Sequence, residues 1–399
     1  MSTDTPSMRP IGDLVEPVTS SDPQAVASAA HFRYVDLGSV DQEAKMITAD
    51  RLVATEDAPS RARQIIHSGD ILVSTVRPNL NAVAQVPPRL DRAIASTGFC
   101  VLRPRKDVLS HRYLFHWVCH TSFVSEMVRR AIGASYPAVS DRIVCESLIP
   151  LPPMDVQQHI AAILDKADEL RQMRRAALER LDLLGRSVFY EMFGDPSTNK
   201  KKWRRHLLGA LIVDGPQNGL YKPAECYGDG TPILRIDAFY DGEVTDYSSL
   251  RRLRLSASEI DLYRLNELDV VINRVNSLEY LGKSALIVNL KEDTVFESNM
   301  MRFQVDRRQV NPRYLMAFLQ APYIKAQILQ RAKNAVNQSS INQDDVRSFT
   351  ILTPPIDLQD KFAERASRIA FHSKSQGRAA AQWEDLFKSL QHRAFQGEL

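Results

Sequence analysis

The chain is poor in the features that mark secreted domains, membrane proteins and most enzymes. Its 399 residues hold only four cysteines, Cys100, Cys119, Cys145 and Cys226, with no paired spacing. Such thiols argue against a disulfide-stapled fold and for a reduced, cytoplasmic setting. No apolar run reaches about 18 residues, and no charged-then-apolar leader is present, so neither membrane insertion nor secretion is expected. Charge of one sign is also missing. The formal net charge is +3, weak for a stand-alone nucleic-acid binder, so any such binding needs local basic surface or partners that share the phosphates.

Catalytic motifs are equally scarce. Gly282-Lys283-Ser284 imitates the end of a phosphate-binding loop, but that loop needs a glycine where Ser277 stands. Asn311-Pro312-Arg313-Tyr314 loosely resembles an amino-methyltransferase motif without its second proline, and Ser110-His111-Arg112-Tyr113 stands in the matching place. Both segments read as helix starts, with Ser110 and Asn311 as N-caps. His116, Cys119 and His120 lack a fourth ligand at zinc spacing, and Phe115 and Trp117 make that segment a packed helix. No glycine-rich cofactor loop follows a strand, and no nuclease constellation is visible. The chain is expected to be non-catalytic, with no cofactor of its own and no small-molecule substrate.

What is present is a repeat. Ile149-Pro150-Leu151-Pro152-Pro153-Met154-Asp155-Val156-Gln157 returns 202 residues later as Ile351-Leu352-Thr353-Pro354-Pro355-Ile356-Asp357-Leu358-Gln359. Ser187 and Phe193 return as Ser389 and Phe395 at the same interval, Arg112-Tyr113-Leu114 as Arg313-Tyr314-Leu315, and residues 69–73 as 268–272. Duplication on this scale predicts a pseudo-twofold internal repeat with two similar working surfaces.

Each copy is read as an α+β domain followed by a long helix. The boundaries are 1–153 and 197–355 for the domains, and 154–196 and 356–399 for the helical segments. The domains carry strand-like runs (32–37, 71–76 and 98–102; 232–236, 269–273 and 300–305) and one helix each, about Arg112 to Arg130 and about Tyr314 to Arg331. The first long helix starts behind Pro152-Pro153, with Asp155 and Gln158 resembling a capping box. Its seven-residue stripe is Ile160, Ile163, Ala167, Leu170, Ala177, Leu181, Leu184 and Val188. The second helix offers Phe362, Ile369, Trp383, Leu386 and Leu390, with His372, Ser373 and Gln376 facing the seam. About 39 residues make a rod of roughly 58 Å. The matched stripes predict an antiparallel coiled coil, in which Leu184→Asp would bury a charge.

The Pro-Leu-Pro-Pro helix start, the segment Phe189-Tyr190-Glu191-Met192-Phe193-Gly194-Asp195-Pro196 and the segment His392 to Leu399 resemble the specificity subunit of type I restriction-modification systems. So do Gly133 to Ser140 and Ile272 to Ser277, which look like that family's target-recognition domains. The resemblance covers essentially the whole chain. It implies that each recognition domain reads one half of a split, asymmetric site in double-stranded DNA. It further implies that the helices fix the spacing and dock two methylation subunits, which bind S-adenosylmethionine, and separate restriction and translocation subunits, which use ATP with magnesium. A rod of roughly 58 Å spans about 17 base pairs at most.

Base reading needs Arg, Asn and Gln on loops, with Ser, Thr and Lys for phosphates. In the first domain the candidates are Arg61, Arg63 and Gln64 after a turn, Arg77, Asn79 and Asn81 after a strand, and Ser135 and Tyr136 after a helix. In the second they are Asn218, Tyr221 and Lys222; Arg274, Asn276, Ser277 and Lys283; and Lys333, Asn334, Asn337 and Gln338. The loop of Arg274 repeats that of Arg77, so Arg274→Ala is expected to weaken one half-site only. The run Lys200 to Arg205 reads equally as a phosphate clamp or a soluble linker. A rival reading makes the chain a scaffold whose domains bind protein, which would lack salt-steep binding to duplex DNA.

Overall fold

A computed structural model describes residues 7–18, 20, 22–23, 30–240, 242–244, 246–335 and 338–399, at 334 and 335 for the backbone only. The chain divides into two compact units. Unit 1 is Met1–Ala177 with Gln376–Leu399, and unit 2 is Leu178–Ser375. Both mix helix and sheet.

Unit 1 is built around the strand Ile71–Ser74, which pairs antiparallel with Phe99–Pro104 and Val83–Gln85. Side chains alternate across a strand, and this strand is buried on both faces. Ile71 and Val73 enter one core and Leu72 another, as do Cys100 and Leu102 against Phe99 and Val101. A second four-stranded sheet runs Arg51–Ala54, His31–Val35, Ile94–Ser96, Ala62–Ile65. Over the first core lie α1 (His111–Cys119), α2 (Thr121–Arg130) and α3 (Asp141–Glu146), followed by α4 (Met154–Phe193).

Unit 2 repeats the alternation. In the strand Val270–Asn273, Val270 and Ile272 enter one core and Val271 the other. That strand lies inside a six-stranded sheet between Met300–Val305 and Ser284–Leu286. The helices are α5 (Ala257–Tyr263), α6 (Pro312–Leu319), α7 (Pro322–Arg331), α8 (Gln343–Arg347) and α9 (Ile356–Gln396). Among the described residues, no helix is long and apolar enough to cross a membrane.

The duplicated Pro-Pro segment has the same job in each unit. The strand Leu148–Leu151 pairs with Ser7–Pro10, and Thr350–Thr353 with Arg204–Leu207, both antiparallel. Behind each strand a long helix begins, and its buried glutamine latches it to the unit. Gln157 accepts from the Ser110 amide (2.9 Å) and donates to the carbonyls of Val108 (3.1 Å) and Pro152 (2.9 Å). Gln359 accepts from the Asn311 amide (2.9 Å) and donates to those of Gln309 (3.1 Å) and Pro354 (2.8 Å). The Tyr113 hydroxyl donates to Pro150 O (2.9 Å), as the Tyr314 hydroxyl does to Leu352 O (2.8 Å). The far end of the other long helix completes each core. Phe395 packs on Tyr113 and Trp117 in unit 1, and Phe193 on Tyr314 and Phe362 in unit 2.

Several sequence expectations are corrected here. The single helix expected over Arg112 to Arg130 is two, broken at His120, whose ring caps α2 by accepting from the Ser122 amide (3.3 Å). The helix expected from Tyr314 to Arg331 is likewise split, because Pro322 disfavours a helical residue before it. Asp155 is not an N-cap. It lies inside the first turn of α4, where a carboxylate complements the helix dipole. Ser110 stands at the N-cap of α1 without a side-chain bond, whereas Asn311 accepts from the Arg313 amide (2.9 Å).

Within each unit α4 and α9 are antiparallel neighbours. Arg171 lies over Phe387 and Arg174 over Trp383 in unit 1, while Phe189 packs on Phe362 in unit 2. Half of the expected stripe faces inward: Ile160 is buried, and Ala167, Leu181 and Val188 are half-buried. The companion set is shifted by one residue. Leu170, Ala177 and Leu184 are exposed, Ile163 is half-buried, and Leu164, Arg171, Leu178 and Gly185 take the inner positions. On α9, Phe362 is buried and Ile369, Trp383 and Leu390 are half-buried, but Leu386 is exposed and Phe387 is buried in its stead. His372 and Gln376 are exposed too, leaving Ser373 and Gly377 as the half-buried residues. The misreading has a physical cause. An arginine whose guanidinium lies over a ring, and a glycine opposite Ile369, occupy seam positions that an apolar count hands to the adjacent leucines.

Candidate nucleic-acid interface

In each unit the loop that leaves the central strand is bound to a hairpin that follows a short helix, α2 in unit 1 and α7 in unit 2. In unit 1 the Thr75 amide and hydroxyl both donate to Gly98 O (2.9 Å each), and the Val139 amide donates to Thr75 O (2.9 Å). Val76 bridges Ala138, and the Arg77 amide donates to Pro137 O (2.7 Å). Ile132 and Ala138 exchange backbone bonds, which closes the hairpin. Gly133 is required there: its φ is +112°, and a Cβ would lie 2.9 Å from Tyr136 O.

At the tip, Arg77 has left-handed backbone angles (φ 50°, ψ 61°), a conformation uncommon for arginine. Its guanidinium lies 4.6 Å from the centre of the Tyr136 ring. Tyr136 is 69 % exposed and Ile132 79 %. Asn79 and Ser135 are exposed. Asn81 has φ 46°, donates to Cys119 O (3.3 Å) and accepts from Lys45 at its own carbonyl, so its amide braces the turn.

Unit 2 has the same frame with other side chains. The Arg274 amide donates to Asn299 O (2.8 Å) and the Ile341 amide to Arg274 O (3.0 Å). Val275 and Asn276 pair with Ser340 and Ser339 on the strand Gln338–Ser340, itself paired with Lys333–Ala335. Arg274 therefore occupies the place of Thr75, not of Arg77, and its half-buried guanidinium donates to Ser298 O (3.2 Å). The position equivalent to Arg77 is Asn276, whose Oδ1 accepts from the Ser277 amide (2.8 Å). This corrects the expected match between the two arginines. Gln338, Lys333 and Ser277 are exposed, the Asn334 backbone lies in the hairpin, and Asn337 lies outside the described residues.

Other candidates are already engaged. Gln64 does not sit on a turn. It lies in the strand Ala62–Ile65 and donates to Ser96 O (2.9 Å) and Phe99 O (2.8 Å). Arg63 pairs with Asp22 (3.0 Å), while Arg61 is exposed. Lys222 pairs with Glu259 (2.5 Å), whereas Asn218 and Tyr221 are exposed. Lys283 donates to Ile236 O (2.6 Å) among Phe239, Tyr240 and Tyr280, and burial lowers its pKa. In the basic run, Lys201 donates to the carbonyls of Glu191 and Met192, and Trp203 to Phe193 O (2.8 Å). Those two residues cap the end of α4. Lys200, Lys202, Arg204 and Arg205 remain exposed.

Among the described residues, no group of three or more His, Cys, Asp or Glu is placed to hold a metal ion. His116 instead meets Asp165 (2.7 Å), which also pairs with Arg112. Burial raises the Asp165 pKa, but the bonds from His116 and Arg112 outweigh it and hold the carboxyl well below its usual range. His120 stacks on Trp117 and His392. Sequence reasoning missed the latch glutamines, although both close the duplicated segment, and it missed the exposed Ile132 beside Tyr136.

Two mixed helix–sheet units thus each present a braced loop and hairpin with different tip residues. Residues 41–180 match the family described as type I restriction modification DNA specificity domain. The chain is 26 % identical over 320 residues to the EcoKI specificity subunit of Escherichia coli K12, covering 76 % of this chain and 68 % of that one. It is 23 % identical over 376 residues to the StySPI specificity subunit of Salmonella potsdam, covering 90 % and 80 %. A chain from a solved structure on complex assembly and conformational transition of the type I R-M system superposes with a TM-score of 0.61 at 26 % identity, covering 99 % of this chain and 98 % of that one. Residues 41–180 thus carry a type I restriction modification DNA specificity domain, and over most of its length the chain is similar to type I specificity subunits.

Proposed function

We propose that this chain is the non-catalytic, sequence-reading subunit of a type I restriction-modification complex, and that its two units each read one half of a bipartite, asymmetric site in double-stranded DNA. The observation that carries the reading is the pair of braced tips: one backbone frame, with Arg77 and Tyr136 in one unit where the other has Asn276 and Gln338. A constant frame with exchanged polar tips suits direct readout, in which base edges are distinguished by the side chains presented to them. In this reading the recognition domains are 1–153 and 197–355, and the helical segments 154–196 and 356–399 form an antiparallel coiled coil that spaces them.

The helices also suit partner docking. In unit 2, Phe371 is 72 % and Leu183 60 % exposed, large apolar groups of the kind that mark protein contacts. Two methylation subunits, and restriction and translocation subunits, are the proposed partners. S-adenosylmethionine, ATP and magnesium belong to those partners in this reading.

The test is single-molecule methylome sequencing of host cells with and without the gene. Loss of one gapped, two-part methylated motif is the expected result. An unchanged methylome, together with duplex binding by the assembled complex that does not weaken with salt, would favour the protein scaffold instead.

A further inference from the structure

We propose that Arg77 and Tyr136 form a stacked reading fork that selects a guanine in the half-site read by unit 1; the inference rests on the DNA-reading function proposed above. Three observations converge on this pair. Arg77 keeps left-handed angles, a strained conformation for a non-glycine residue. The frame enforces them through the Arg77 amide on Pro137 O (2.7 Å) and the Leu80 amide on Arg77 O (2.9 Å). A strained backbone held this firmly fixes the direction in which the side chain leaves the loop.

The guanidinium is then laid on the Tyr136 ring at 4.6 Å. The contact with the ring holds the guanidinium in place at the tip and leaves its planar set of N–H donors together as a pre-oriented fork. Among the described residues, no acidic group or carbonyl accepts from that guanidinium. This distinguishes it from Arg63, paired with Asp22, and from Arg274, bound to Ser298 O. A flat fork with two parallel free donors matches two acceptors side by side. On the major-groove edge of DNA only guanine offers that pair, at O6 and N7. A phosphate would be served by the charge alone and would need no stacked ring.

Tyr136 is thus a positioning residue, acting through the direction it gives Arg77. Ring area, not the phenol hydroxyl, does the work, so Tyr136→Phe should behave like the wild type while Tyr136→Ala should not. Unit 2 carries Asn276 at the equivalent position and no arginine. The guanine requirement should therefore belong to one half-site only.

The experiment uses the full chain assembled with its methylation subunits. The methylated motif is mapped first, and binding is then measured on duplexes carrying each of the four bases at every position of both half-sites. The wild type is expected to require a guanine at one position of one half-site, with each alternative base bound roughly 5- to 150-fold more weakly, the range for one bidentate pair. Arg77→Lys keeps the charge, and Arg77→Asn suits the left-handed backbone. Arg77→Asn should abolish the preference at that position and spare every other, and Arg77→Lys, which lacks the planar fork, should weaken it. Tyr136→Ala should reduce it, and Tyr136→Phe should retain it.

Either of two results would overturn the proposal. Arg77→Lys could keep the full base preference at all positions, or Arg77→Asn could weaken all duplexes alike and lower the salt slope by about one, the mark of a phosphate contact. A wild-type complex with no sequence preference at all would refute the DNA-reading function itself, a different outcome from a specific complex indifferent to Arg77. Melting curves of each variant, unchanged from wild type, exclude loss of fold as the cause.

Discussion

Replacing Gln157 by methionine should separate the latch from everything else in unit 1. Methionine keeps nearly the same length and volume, so the change removes hydrogen bonds without opening a cavity. Three are lost: those from Ser110 N, to Val108 O and to Pro152 O, at 2.9, 3.1 and 2.9 Å. At a net contribution of about 1 kcal/mol per bond the loss is about 3 kcal/mol. The true figure should lie above that, because Gln157 is 1 % exposed and the three backbone groups are left in a site poor in water. For a unit of about two hundred residues this corresponds to a Tm lower by roughly 6–12 °C. Hydrogen exchange at the Ser110 amide is the sharpest assay, since that group loses its acceptor outright. The Asn311 amide, bound to Gln359 in unit 2, should stay protected, and Gln359→Met should reverse the pattern. A cost below 1 kcal/mol, or a Ser110 amide that exchanges as slowly as in the wild type, would refute the latch.

The remaining predictions concern the helices and one ring. Gly377 lies in the middle of α9 with nothing within 4 Å of an added Cβ, so Gly377→Ala should stabilise unit 1 by about 1 kcal/mol in denaturant titrations. Leu184, at 47 % exposure, should tolerate aspartate within about 0.5 kcal/mol. Ile369→Asp, opposite Gly185, should instead lower the denaturation midpoint of unit 2 and the yield of assembled complex; the reverse order would restore the sequence-based stripe. His120 is held neutral, its pKa lowered to about 4 by burial and then by His392. A base with a lowered folded pKa contributes stability that is full above the ordinary value of about 6.5 and is lost as pH falls toward about 4. Protonation would also remove the acceptor that caps α2. Melts at pH 7.5 and 5 should therefore diverge more for wild type than for His120→Asn, and equal slopes would refute this.

Legibility in the sequence followed how local the physics is. The duplicated Pro-Pro segment announced both long helices, because proline forbids an earlier start and the stop at Gly194 is equally local. The break at His120 carried no such punctuation; the imidazole makes it by capping the next helix. The stripe was half wrong for a related reason. Arg171 and Gly185 are poor seam residues until Phe387 and Ile369 stand opposite them, and those partners are about two hundred residues away in sequence. At the tips, the likeness of Arg77 to Arg274 misled because residue type is not position. The repeat of residues 69–73 as 268–272 already carries Thr75 onto Arg274 and Arg77 onto Asn276, and the bonds of Thr75 to Gly98 O and of Arg274 to Asn299 O agree with it. Gln64 and Lys283 were credible readers by type, and long-range carbonyls and rings claim them both.

The split of unit 1 bears on how the chain is made. Unit 2 is a single stretch, Leu178–Ser375, whereas unit 1 joins Met1–Ala177 to Gln376–Leu399, and its main core includes Phe387, Ala394 and Phe395. During synthesis the second unit has all its parts before the first does. The earlier-made part of unit 1 must wait with Tyr113 and Trp117 uncovered until residues 376–399 emerge. The contacts of Phe395 with Tyr113 and Trp117 close a loop of more than two hundred residues, which carries a large closure entropy. Unit 1 thus closes its core only after all of unit 2 has been made, and a product cut short at Ser375 would hold unit 2 whole and unit 1 open.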